Sequence, residues 1–302
     1  MSTVVKSAPF RHQPPSDPSG PATGTAVSLE SPSLRQRAGY LLVNPWKNFL
    51  LPAGWLRKRL RRSRSPLVAE SFVRPGGWRS MEIIYRNQEP VDWFDRQALR
   101  DNPISMAARN RRLIVTQKIA ALIARYGRES PVTIVGVGAG PGRHVQTAIV
   151  DSGIDPARVR AHLIDLDDDA FEYGRALAAR FEIDGCVRFI KGDARRIRET
   201  LPDVAAQIVK AVGLVEYLSD TQFVEMFRAL RDILVPGGAL VTHGLVDAHG
   251  TGPFLARMFD LRHKQRTERH MTALLTIAGF RVAECVIEPV GVYPIITAVR
   301  DD

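Results

Sequence analysis

Cysteine is nearly absent from this 302-residue chain: only Cys186 and Cys285 occur, about a hundred residues apart and without C-x-x-C spacing. That excludes a disulfide framework and a thiolate metal site. Both lie in apolar, strand-like runs, where a buried free thiol is the plain reading, and a reducing, cytoplasmic compartment fits. The seven histidines show no metal-ligand spacing, His249, His263 and His270 included, so no metal is expected. Long apolar runs are also missing. None approaches the roughly 20 residues of a membrane-spanning helix, and the first thirty residues lack the apolar centre of a secretory signal.

Acidic excess is lacking as well, since the formal net charge is +10. The excess has an address. Up to Arg79 the chain carries thirteen Lys and Arg against three Asp and Glu, whereas the remainder carries 29 of each. A neutral remainder argues against a basic catalytic surface and makes nucleic acid an unexpected partner.

Composition divides the chain into four segments. Residues 1–39 are rich in Pro, Ser, Gly and Thr and poor in large apolar side chains, so a disordered arm is expected. Residues 40–79 interleave Trp46, Phe49, Leu50, Trp55 and Leu60 with Lys47, Arg57, Lys58, Arg59, Arg61, Arg62 and Arg64. The stretch 40–64 suits a peripheral contact with an anionic membrane; equally, its aromatics suit docking onto the protein's own core. Residues 80–130 are expected as helices covering that core. Asp101-Asn102-Pro103 marks a helix start with Asn102 or Ser105 as cap, and apolar residues from Ile104 to Ile123 follow a 3.6-residue period. Residues 131–302 are expected as the catalytic domain.

There the pattern alternates strand with helix: strands over Val132–Val137, Val159–Asp165, Val187–Lys191, Gln207–Val212 and Ala239–Gly244, each followed by a helical stretch. Two further strands, Arg281–Glu288 and Tyr293–Val299, close the chain with only a turn between them. This predicts an α/β fold with a Rossmann-like, doubly wound, mostly parallel sheet and an antiparallel C-terminal hairpin.

The first strand runs into Gly138-Ala139-Gly140-Pro141-Gly142. Alternate residues without Cβ let the backbone turn sharply and approach a ligand. A dinucleotide loop needs G-x-G-x-x-G; here the spacing is G-x-G-x-G, the pattern of loops that hold S-adenosylmethionine. Asp165 ends the second strand, 25 positions after Gly140, where an acid can accept from both ribose hydroxyls. Asp193, in Gly192-Asp193-Ala194, ends the third strand, where a carboxylate can accept from the adenine amino group. Each acid alone has a plainer reading as a helix cap; their succession at consecutive strand ends does not.

From Val132 to Val299 the sequence resembles the class I S-adenosylmethionine-dependent methyltransferases. The resemblance rests on the glycine loop, Ile164-Asp165-Leu166, Gly192-Asp193-Ala194 and Leu234-Val235-Pro236-Gly237-Gly238. It implies that Gly138, Ala139, Gly140, Gly142, Asp165, Leu166, Asp193 and Ala194 bind the cofactor. One position departs from the family: the acid two residues before the first glycine, which contacts the cofactor's methionine moiety, is Gly136 here. Asn102-Pro103 with Ala108-Arg109-Asn110-Arg111, and Gly213–Asp220, are further similar to bacterial methyltransferases of lipid metabolism. Those include types fused to α/β-hydrolases and types that form methyl esters of hydroxy fatty acids.

Ligands in such folds sit outside the carboxyl ends of the strands. Glu216 and Tyr217 after the fourth strand, and His243 at the fifth, are therefore the candidate catalytic groups, although a histidine hydrogen-bonded beneath the loop is the plainer reading of His243. Arg109 and Arg111 are candidates to bind an anionic substrate, although a solvated helix face accounts for them equally. The expected activity is O-methylation of a small or lipid-like acceptor such as a carboxylic acid, which needs no strong base. A non-catalytic S-adenosylmethionine-binding scaffold is the alternative that Gly136 keeps open. Aminopropyl transfer is disfavoured by the lack of an acidic cluster near the fourth strand. Nucleic-acid methylation is disfavoured by the absence of an Asn/Asp-Pro-Pro-aromatic motif.

Overall fold

The computed structural model describes residues 28–301. Its centre is a seven-stranded sheet of β1 (Val132–Val137), β2 (Val159–Asp165), β3 (Val187–Lys191), β4 (Ala206–Ala211), β5 (Leu234–His243), β6 (Arg281–Ile287) and β7 (Pro294–Val299). The order is β3-β2-β1-β4-β5-β7-β6, parallel through β5, with β7 antiparallel to both β5 and β6. The expected doubly wound sheet and C-terminal hairpin are both present. Strands buried on two faces read as continuous apolar runs, and Val132, Ile134, Val135 and Val137 of β1 are each fully buried. The fifth strand begins at Leu234 rather than Ala239: it takes in the Pro236-Gly237-Gly238 turn, and the β4–β5 register shifts between Ala206 and Ile208.

Ahead of the sheet lie α1 (Leu34–Pro45), α2 (Ala53–Leu60), α3 (Pro66–Val73), α4 (Trp78–Arg86), α5 (Trp93–Leu99) and α6 (Pro103–Gly127). Within the sheet region run α7 (Arg143–Asp151), α8 (Asp169–Arg180), α9 (Ile197–Thr200), α10 (Asp220–Asp232), α11 (Gly252–Phe259) and α12 (Glu268–Ile277). Two apolar layers cover the sheet. Ile134, Ile208 and Leu163 pack with Ile119 and Ile123 of α6 and Val145 of α7, while Val135, Val137 and Val209 pack with Phe223 and Phe227 of α10 and Leu275 of α12. Burying one such side chain contributes roughly 1.5–3 kcal/mol.

Asn102 does cap α6: its Oδ1 accepts from the Ile104 N–H at 2.9 Å, with Pro103 at the first helical position. The arm expected over 1–39 lies partly outside the described residues. Its last part differs from expectation, because Leu34 starts α1 behind a Ser33–Gln36 capping box. Those reciprocal hydrogen bonds satisfy the helix's first free donors. Pro45 then withholds an N–H, and the backbone widens into a π turn over Trp46–Leu50 before α2. Among the described residues no helix is long and apolar enough to cross a membrane, and no group of His, Cys, Asp and Glu could hold a metal ion. Cys186 and Cys285 are free and half-buried rather than fully buried.

Candidate active site

A cavity of about 420 Å³ opens over the carboxyl ends of the parallel strands, within the size range of small-molecule sites. Its floor is the glycine loop. Gly138, Gly140 and Gly142 have φ of 53°, 53° and 75°, the left-handed region that glycine occupies without strain. A Cβ at Gly138 would lie 2.6 Å from Leu214, and one at Gly142 would lie 2.3 Å from Leu163. The loop's sharp turn and its tight seat therefore both require these glycines.

Asp165 fastens the loop. Its Oδ2 accepts from the Gly140 N–H at 2.7 Å and its Oδ1 from the Asp167 N–H at 3.0 Å. With one hydrogen bond on each oxygen, the carboxylate keeps further acceptor capacity toward the cavity it lines. Leu166, Asp193 and Ala194 line the same wall. Asp193 caps the turn that starts at Ala194 and pairs with Arg195 at 2.6 Å, and that guanidinium holds its carboxyl below the usual carboxylate range. Of the residues expected to bind the cofactor, all but Gly142 line the cavity. Gly142 starts α7 and packs on Leu163.

The roof comes from the N-terminal helices, whose part in the cavity was not foreseen. Gly76, Gly77, Trp78, Met81, Glu82 and Tyr85 line the cavity from above. Trp78 lies against Gly140, and Gly76, at φ 74°, leaves room for the Tyr217 hydroxyl, which a Cβ would meet at 2.4 Å. The roof is pinned by a buried ion pair between Glu82 of α4 and Arg143 at the start of α7, with Nη2–Oε2 at 2.5 Å and Nε–Oε1 at 2.8 Å. The Tyr173 hydroxyl donates to Glu82 at 3.0 Å and accepts from Arg143 at 2.9 Å. A glutamate at a helix position 61 residues from its partner carries no local sequence signal.

The proposed catalytic and substrate residues separate into two groups. Arg111 and Tyr217 line the cavity; Glu216, His243 and Arg109 do not. Arg111 is 2% exposed and lies over the Tyr293 ring at 4.3 Å. Its guanidinium reaches His243 Nε2 at 3.3 Å and Glu216 at 3.8 Å. Burial alone would raise the Glu216 carboxyl, yet His243 and Arg111 beside it hold it below the ordinary value. His243 is fully buried, and burial pushes it down to about 4. The Gly213 N–H donates to its Nε2 at 3.1 Å, so Nδ1 is the protonated nitrogen and donates to the Gly244 carbonyl at 2.8 Å. A neutral ring with both nitrogens engaged below the cavity is a post for the loop after β4, not a base in the site. Arg109 is a second correction: it forks onto Glu30, at 2.5 and 2.6 Å, and onto the Leu99 carbonyl, tying the chain before α1 to α6.

Two further groups line the cavity, His144 in the first turn of α7 and Lys210 in β4. His144 is 8% exposed, its Nε2 has no hydrogen-bond partner, and burial pushes its pKa well below the ordinary value. Lys210, inside β4, places its Nζ on the Gly138 carbonyl at 3.1 Å and the Val212 carbonyl at 2.9 Å. A lysine in an otherwise apolar parallel strand was the available signal, and it was passed over.

Residues 79–300 match the family described as "Putative methyltransferase". The chain belongs to that methyltransferase family. Its fold is shared with a Bordetella parapertussis protein described as a possible exported protein, at TM-score 0.65 and 19% identity over 89% of this chain and 96% of that one. It is also similar to an O-methyltransferase family protein from Burkholderia thailandensis, at TM-score 0.52 and 17% identity over 88% and 72% of the two chains. The magnesium protoporphyrin IX methyltransferase of Synechocystis PCC 6803, solved with bound S-adenosylhomocysteine, matches at TM-score 0.52 and 13% identity over 86% and 99%. No curated protein matches the sequence.

Proposed function

We propose that this chain is an S-adenosylmethionine-dependent O-methyltransferase whose acceptor is a small or lipid-like carboxylic acid. The cofactor fits the residues present. A Cβ at Gly138 or Gly142 would clash with the packed loop, Asp165 keeps acceptor capacity for ribose hydroxyls, and Leu166 and Ala194 offer apolar surface beside Asp193. Bound there, the cofactor would supply a sulfonium methyl group to a nucleophile, with the C–S electron pair leaving on sulfur.

The single observation that carries the acceptor class is Arg111. It is a buried guanidinium on the cavity wall, and its Nε has no hydrogen-bond partner. Such a group suits an anionic acceptor. Glu216 and His243 act as positioning residues that hold Arg111 from beneath. A carboxylate nucleophile needs no proton removed, which suits a site where His243 cannot reach substrate. The roof covers the cavity from above, and alignment of the two reactants beneath it would supply much of the rate. A hydroxyl acceptor is the second reading, favoured by the unpartnered Nε2 of neutral His144.

Delivery of a lipid-like acid is supported by the outer face of α1, the π turn and α2. Leu41, Leu42, Trp46, Phe49, Leu50 and Trp55 are all exposed there, and the arginines and lysine from Arg57 to Arg64 are exposed beside them. An apolar face flanked by cations complements an anionic lipid surface.

The test is methyl transfer from radiolabelled S-adenosylmethionine to matched fatty acids and fatty alcohols, with Arg111→Leu alongside. Base-labile methyl ester from the acids, lost in the variant while S-adenosylhomocysteine still binds, is the expected result. Label on the alcohols alone transfers the assignment to the His144 reading.

A further inference from the structure

Lys210 is 2% exposed on the floor of the cavity. Its Nζ rests on two neutral carbonyls, those of Gly138 and Val212. Among the described residues no carboxylate lies within ion-pair distance of it. The acids whose charge it feels are engaged elsewhere: Asp165 holds the Gly140 and Asp167 N–H groups, and Glu216 faces Arg111. A buried ammonium without a counter-charge is costly unless an anion completes it. An ammonium has three donors, and the two carbonyls take two of them.

The sheet order decides which anion. Asp165 ends β2 and Asp193 follows β3, on one side of the glycine loop; Lys210 lies in β4, on the other. With the nucleoside against the two acids, the amino-acid end of the cofactor extends toward β4. That end carries an ammonium and a carboxylate. The residue beside Lys210 in the β1–β4 register is Gly136, and a Cβ there would come 3.0 Å from Leu163. No acid waits for the ammonium at that position, and the Gly138 and Val212 carbonyls are already taken by Lys210.

We propose that Lys210 is the anion-binding residue of the cofactor pocket and receives the α-carboxylate of the methionine moiety, so that carboxylate recognition stands where acid-to-ammonium recognition would otherwise be. The proposal rests on the cofactor reading above, and its test separates the two.

Calorimetric titration of the full chain with S-adenosylhomocysteine and with S-adenosyl-3-thiopropylamine, which lacks only the carboxylate, reads it directly. Wild type is expected to prefer S-adenosylhomocysteine by about tenfold or more, the scale of a charge-assisted contact. Lys210→Met brings the two ligands within about twofold of each other, while Lys210→Arg keeps the preference. Equal affinity of wild type for both ligands overturns the role of Lys210 alone, and that comparison needs no variant to fold. No binding of S-adenosylhomocysteine overturns the cofactor reading and this inference together.

Discussion

The sheet region and the helices ahead of it share an apolar layer but differ in how much they depend on single polar contacts. From β1 onward the fold rests on apolar burial spread over two continuous layers, and it carries a slight acidic excess, 20 Lys and Arg against 23 Asp and Glu. The helices before α6 carry the chain's positive excess; Leu67, Ile84, Tyr85 and Leu99 join one of those layers, and discrete polar clamps add to that burial. Glu82 grips Arg143, Arg109 grips Glu30, the Asn48 side chain donates to the Gly250 carbonyl at 2.7 Å, and Arg257 donates to the carbonyls of Lys47 and Asn48 at 3.1 and 3.2 Å. A distributed apolar core tolerates local change, whereas a clamp fails when one partner is lost. The cavity lies where the two regimes meet, with a floor from the sheet and a roof from the clamped helices.

The contrast breaks most visibly at Glu82. Glu82→Ala removes the carboxylate that faces the buried Arg143 guanidinium, and breaking a buried ion pair costs about 3–5 kcal/mol. Denaturant unfolding followed by tryptophan fluorescence should show it, with Trp78 reporting the roof's release. A cost below about 1 kcal/mol would mean that the clamp does not hold the roof.

A smaller effect belongs to the outer face. Trp46→Ser with Leu50→Ser removes exposed apolar area, so stability should stay within about 0.5 kcal/mol. Co-sedimentation with phosphatidylglycerol vesicles should weaken roughly tenfold or more, given the apolar burial a membrane provides. Unchanged sedimentation with a change in oligomeric mass would make the face a contact between copies of the chain.

The smallest effect sharpens the floor. Burial pushes Lys210 down to about 7, with Asp165 and Glu216 opposing that shift and Arg111 adding to it. Carboxylate binding needs the protonated form. Affinity for S-adenosylhomocysteine should therefore hold below pH 7 and fall above it, by no more than about tenfold per unit. Lys210→Met should remove that part of the pH dependence, read by calorimetry in parallel with wild type.

The same division explains what the sequence disclosed. The sheet was legible because parallel strands are apolar throughout and the following helices repeat at 3.6 residues; β1, β2 and β3 fall at their expected limits. The glycine loop, Asp165 and Asp193 were legible because their spacing is local to strand ends. Glu82 and the fork of Arg109 onto Glu30 were not, since each depends on contacts 60 or more residues apart. Lys210 was overlooked because one charge within an apolar strand does not alter the period that identifies the strand.

The proposed function seats S-adenosylmethionine over the glycine loop against Asp165. Calorimetry of wild type and Asp165→Ala with S-adenosylmethionine and S-adenosylhomocysteine tests it most directly. Micromolar binding by wild type, lost at least tenfold in the variant while its fold is retained, is the result predicted. Absence of wild-type binding, or equal binding by the variant, would contradict it.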